Sequence, residues 1–327
     1  MRSIITRKTS ELSHKEIEEI VEGFNLCFPK HSTTVEELLW KYKANHFSES
    51  YHALCYDDEE LVGFISAIPY RYKHQDKIVI IALTCDIFIK EEARADFTLF
   101  AQLYKNLNLV CQENDVICFL GVANNNAYTY SIRILRCKEL FTLPYWILPV
   151  RIGNVVNKKG LKFLNVFSIF YSYLTLWINQ AISFIFNHKA KESFFNISID
   201  IDYLQKRLPN EKYINQIKGD CQFSYRITND EGVKCAYIMI CTQEGRRSYK
   251  ALCRCVSFIL DNEKVDMIMF NGTLNVKQGL LIKTPSRLEP RKLHLTIHFL
   301  NKEYEQIYSD IFKSNGLDFS LINLDVR

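Results

Sequence analysis

The chain has 327 residues, a net charge of +4, 48% apolar residues and 24% charged residues. That length suffices for two ordinary domains, and the composition excludes disorder as the main state. The charge is mild and no basic run is interleaved with aromatics, which argues against nucleic acid as a partner.

Eleven cysteines are present. No C-x-x-C occurs, and most lie inside apolar runs, as Cys85, Cys118, Cys235 and Cys241 do. They read as buried thiols in a reducing compartment. The amino terminus shows no hydrophobic signal region, so a cytoplasmic protein is expected.

In chain order, residues 2–7 can open a sheet. Ser13 with Glu16 three residues on is a capping box and predicts a helix ending near Cys27. A second cap at Thr33 or Thr34 has Glu36 and Glu37 in the first turn, where the helix dipole favours carboxylates. Residues 51–56 and 61–68 read as a hairpin, with Pro69 breaking the strand pattern. The stretch 76–150 then reads as strand, helix, strand, helix, strand. Its apolar runs, Ile78 to Ile89 and Val116 to Leu120, are continuous, as in strands covered on both faces. Residues 141–150 read as one last strand.

This order resembles the GNAT (acyl-CoA N-acyltransferase) superfamily. The likeness rests on Val62-Gly63-Phe64-Ile65-Ser66-Ala67-Ile68-Pro69, on the strand end Asp86 to Ile89, and on Gly121-Val122-Ala123-Asn124. Within the superfamily it is similar to two-domain bacterial members of polysaccharide biosynthesis. The resemblance implies an α/β fold of tandem GNAT-like units, with mixed sheets flanked by helices. It also implies acetyl-CoA or another acyl-CoA as co-substrate, lodged where two central strands splay apart. The residues it assigns to the co-substrate are Ile87, Phe88, Ile89, Arg94, Asn124 and Ala127. Tyr128 or Tyr130 would be the acid for the leaving thiolate, and Asp86 or Glu91 the base. The family's phosphate loop usually carries glycines. Here residues 90–98 have none, and Glu91, Glu92 and Asp96 bring three carboxylates. No histidine or cysteine spacing suggests a metal.

Residues 163–186 carry no charge, and Asn165, Ser168, Ser172, Thr175, Asn179 and Ser183 recur as a polar stripe. Three arrangements compete: a helix packed on the protein, a helix lying in a membrane surface, and a spanning helix. Residues 194–327 repeat the strand and helix order, with a hairpin around Asn229-Asp230-Glu231-Gly232. Gly245-Arg246-Arg247 before the next helix reads as a solvated basic turn, with a second anion site as the alternative. The expected division is 1–152, a connector 153–193, and 194–327. The reading is an N-acyltransferase acting on an amino sugar or a surface-polysaccharide precursor, soluble or lipid-linked, and peripheral to a membrane where 163–186 lies on its surface. A catalytically inactive binding or scaffold protein of the same fold is the alternative, and an aminoacyl transferase onto peptidoglycan precursors is a third.

Overall fold

The computed structural model describes residues 2–96, 98–123, 125–156 and 161–324. The first half runs through strand β1 (Arg2–Lys8), helices α1 (His14–Cys27) and α2 (Val35–Lys43), and strands β2 (Tyr51–Asp57), β3 (Glu60–His74) and β4 (Lys77–Ile89). Then follow α3 (Leu99–Gln112), β5 (Val116–Ala123), α4 (Asn125–Arg133), β6 (Lys138–Thr142) and β7 (Tyr145–Pro149). Short α5 (Ile152–Val155) and long α6 (Leu164–Ile185) lead to β8 (Phe195–Ile197), α7 (Ile201–Arg207), β9 (Ile214–Lys218), β10 (Cys221–Asp230) and β11 (Val233–Gln243). The chain ends with β12 (Arg246–Arg247), α8 (Tyr249–Asn262), β13 (Met267–Asn271), β14 (Ile282–Lys283), β15 (His294–Phe299) and α9 (Lys302–Ile307).

The expected capping box at Ser13 forms, and the second cap falls at Thr34 and is a capping box too. Glu16 N–H donates to Ser13 Oγ at 3.2 Å, and Ser13 N–H to the Glu16 carboxylate at 2.7 Å. Thr34 and Glu37 make the same exchange at the start of α2. Such caps satisfy orphan donors, which explains why both helices begin where the sequence says.

Two mixed sheets carry the fold. The first has the order β1-β2-β3-β4-β5-β15-β6, with β8 also pairing β3. The second has the order β14-β7-β13-β11-β10-β9, with β12 pairing β11. Each sheet contains one parallel crossover, β4–α3–β5 in the first and β11–α8–β13 in the second. The hairpin β10–β11 turns through Glu231 and Gly232, both at positive φ, as a tight two-residue turn requires. Apolar residues of the first sheet alternate between two cores. Leu54, Phe64 and Ile68 pack with α1 and α2 on one face; Ala53, Ile65 and Phe119 pack with Leu103 and Leu107 of α3 on the other.

The two sheets exchange strands. β7 pairs antiparallel with β13, from Tyr145↔Asn271 to Met267↔Pro149, and so joins the second sheet. In return β15 inserts between β5 and β6 of the first. The single strand expected over 141–150 is therefore two strands. The chain crosses between sheets at Leu143-Pro144, where Leu143 is fully buried and Pro144 interrupts the ladder.

Pro69 does not end β3. It pairs with Ala82 inside a 15-residue strand. On the opposite edge, β2 pairs no further than Ala67 and β8 begins at Tyr72, so Pro69 falls where neither strand lies. All eleven cysteines are free thiols, and nine of them are buried. Among the described residues no helix is long and apolar enough to cross a membrane, and no group of three or more metal-ligating side chains comes together.

Candidate active site

The site arises from an irregularity in β4. Ser66 pairs with Cys85 and Phe64 with Phe88, so Asp86 and Ile87 together stand opposite Ile65 alone. This is a β-bulge, which bends the strand and re-aims its side chains. Asp86 takes the left-handed conformation, φ 51°. Aspartate tolerates that region better than most residues.

Beyond the bulge β4 leaves its neighbour. β4 and β5 run parallel from Ile80↔Val116 to Thr84↔Gly121, and there the pairing stops. β4 continues to Ile89, held only by β3. β5 continues to Ala123, held by β15. Beyond Thr84 and Gly121, β4 and β5 make no further ladder pairs. The two strands bound a cavity of about 440 Å³. Its apex is Gly121, flanked by two threonine hydroxyls that donate to main-chain carbonyls. Thr84 Oγ1 bonds Leu120 O at 3.1 Å, and Thr296 Oγ1 bonds Gly121 O at 3.2 Å.

The expected site residues divide. Ile87, Phe88, Ile89, Arg94, Ala127 and Tyr130 all line this cavity. Asn124 lies outside the described residues. Tyr130 meets Phe100 edge to face at 4.9 Å, and burial raises its phenol pKa, which keeps it protonated. Tyr128 does not line the cavity. Its ring stacks on His294 at 4.1 Å, and its hydroxyl donates to Glu139 at 2.6 Å; that hydrogen bond raises its pKa. Asp86 points to the opposite face of the sheet. Lys41 Nζ stands 2.8 Å from its carboxylate, and the Tyr42 hydroxyl donates to it at 3.1 Å. The Lys41 and Asp86 side chains are 4% and 5% exposed, a buried ion pair under α2. Glu91 is exposed and does not line the cavity.

Other residues complete the cavity. Cys27 and Phe28 come from the end of α1, Phe100 and Tyr104 from one face of α3, and Thr296 from β15. The spacing of Phe100 and Tyr104 on a helix was readable in the sequence. Thr296 was not, because it lies more than a hundred residues beyond its neighbours.

The mouth is ionic. Arg94 Nε donates to Ile89 O at 3.0 Å. Asp96 lies just before α3 and accepts from Thr98 N at 2.9 Å and from Thr98 Oγ1 at 2.7 Å. It also pairs with Arg2 at 2.8 Å. The Thr98 bonds hold the Asp96 carboxyl below its usual range. The residues thus fit an acyl-CoA unevenly. A pantetheine arm suits the parted main chain and the apolar walls. At the phosphate end the Asp96 carboxylate lines the cavity beside the Arg94 cation.

No protein-family model matches the sequence, and no curated protein matches it. Solved structures do. A conserved protein of unknown function from Enterococcus faecalis V583, described as a probable N-acyltransferase, aligns over 93% of this chain and 74% of its own, at 11% identity and a TM-score of 0.57. A GCN5-related N-acetyltransferase from Anabaena variabilis aligns over 91% and 73%, at 12% identity and a TM-score of 0.52. The Saccharomyces cerevisiae N-myristoyltransferase with bound myristoyl-CoA aligns over 91% and 83%, at 12% identity and a TM-score of 0.53. At such identities the likeness is one of architecture: the chain has the tandem, two-sheet fold of the GCN5-related N-acetyltransferases.

Proposed function

We propose that this protein is an acyl-CoA-dependent N-acyltransferase. One observation carries the reading: β4 and β5 part after Thr84 and Gly121 and enclose a ligand-sized cavity. Main chain past the end of the β4–β5 ladder can hydrogen-bond the amides of a pantetheine arm as an extra strand would. It also offers N–H donors to the thioester carbonyl as charge develops there.

Transfer then needs little from side chains. A neutral amine attacks the thioester carbon, the C–N bond forms and the C–S bond breaks. Tyr130, protonated and in the cavity wall, supplies the proton that the leaving thiolate takes; the attacking nitrogen gives one up to solvent, and solvent returns one to Tyr130. The acceptor we propose is an amino group on a sugar or surface-polysaccharide precursor, a choice that rests on the sequence resemblance. Acetyl-CoA is the proposed donor.

The second reading is an inactive scaffold of the same fold. Asp96 favours it, because its carboxylate lines the cavity just before α3 and would repel a phosphate there. Calorimetry with acetyl-CoA separates the two. Micromolar binding that Arg94→Glu weakens at least about tenfold, a loss of roughly 1.4 kcal/mol, supports the transferase. Absence of binding at saturating acetyl-CoA supports the scaffold.

A further inference from the structure

α6 is built inside out for a helix in water. A surface helix normally turns its apolar stripe to the core and its polar face outward. Here Ser168, Ser172, Asn179 and Ser183 are buried against the protein. Ser168 Oγ donates to Val150 O at 2.9 Å, and Ser172 Oγ to Pro149 O at 2.8 Å. Asn179 Oδ1 accepts from Gly279 N at 3.2 Å and from the Tyr249 hydroxyl. The apolar side faces away from the protein. Val166, Phe167, Phe170, Trp177, Phe184 and Ile185 are each at least 67% exposed. Ile152 of α5, which packs on α6, and Val156 just after it widen the same exposed apolar surface. No charged residue occurs from 163 to 186.

Small polar residues at the packing face with bulky apolar ones outside is the arrangement of a helix whose surroundings are lipid. Two features decide how it sits. The polar stripe is fastened along the helix, from β7 at one end to α8 and Gly279 at the other, so α6 cannot leave the protein and span without breaking those bonds. Exposed cations stand just beyond each end: Lys162 before it, and Lys189 and Lys191 after it, with Lys189 paired to Glu244. Cations flanking an apolar and aromatic face complement the anionic headgroups at a bilayer surface. A second copy of the chain fits less well. Both ends of α6 are basic, so pairing in either direction would set one copy's cations against the other's.

We propose that α6 is an in-plane membrane-docking helix, seated with its Phe167, Phe170, Trp177 and Phe184 side in an anionic phospholipid surface. The proposal is independent of whether the cavity binds acyl-CoA. Flotation of the full chain with phosphatidylcholine vesicles, with and without phosphatidylglycerol, tests it. Bound protein rises with phosphatidylglycerol, and Phe170→Glu/Trp177→Glu/Phe184→Glu lowers binding at least roughly tenfold while the melting temperature stays close to that of the parent. Without any variant, lipids brominated at shallow chain positions quench Trp177, and the quenched signal is missing in Trp177→Phe. A parent chain that stays with neither vesicle type overturns the proposal. So does a dimer in the absence of lipid that the triple variant dissociates, with no vesicle binding, which would give this face to a second copy.

Discussion

Gly121→Val removes acetyl-CoA binding, with a loss of at least about 100-fold, or roughly 2.7 kcal/mol. Gly121 sits at the apex of the splay. A Cβ there would lie 3.1 Å from Thr296 Oγ1 and 3.4 Å from Thr84 Oγ1. Neither hydroxyl swings away without losing its bond to a main-chain carbonyl. The two valine methyls must then enter the space that a thioester would fill. The substitution should leave the fold standing. Gly121 is not in the left-handed region, and valine suits a strand. Calorimetry on a variant whose circular dichroism and melting match the parent checks the prediction. Undiminished binding would mean that acyl-CoA does not use this cleft.

Lys41→Met lowers stability by about 3–5 kcal/mol, because it leaves the Asp86 carboxylate buried without its cation. The pair is 2.8 Å apart, with both side chains almost wholly covered. The midpoint of urea unfolding measures the loss. Lys41→Met/Asp86→Asn should recover most of it, since asparagine keeps the left-handed backbone and carries no charge. The same pair bears on catalysis. Asp86 faces α2 and not the cavity, so Asp86→Asn should act through stability and bulge geometry. The pH dependence of turnover should keep its shape. A variant that folds normally but loses the basic limb of that profile would return Asp86 to the role of base.

Much of the first sheet was legible because its signals are local. The continuous runs of β4 and β5, the amphipathic α3 and the two capping boxes each depend on residues a few positions apart. The strand exchange was not legible. β15 lies in the half of the chain that repeats the strand and helix order, but nothing in its pattern says that His294 lies opposite Ala123. Pro144 was the one local clue to the crossing, and an apolar run on both sides hid it. Asp86 shows a different limit. Its place at the end of β4 was readable, yet the face it points to is set by a bulge against Ile65. With α6 the polar stripe was plain in sequence, but period alone cannot tell which side of a helix meets the protein. Hydrogen bonds to Val150 and Pro149 settle that.

The most direct test of the central claim is amide hydrogen exchange with and without saturating acetyl-CoA. The claim is that the parted main chain of β4 and β5 is what holds the donor. It predicts that exchange at residues 85–89 and 122–123 slows at least roughly tenfold on binding, while the second sheet, including β10 and β11, is unchanged. Saturation with no added protection at 85–89, or protection confined to the second sheet, would contradict it.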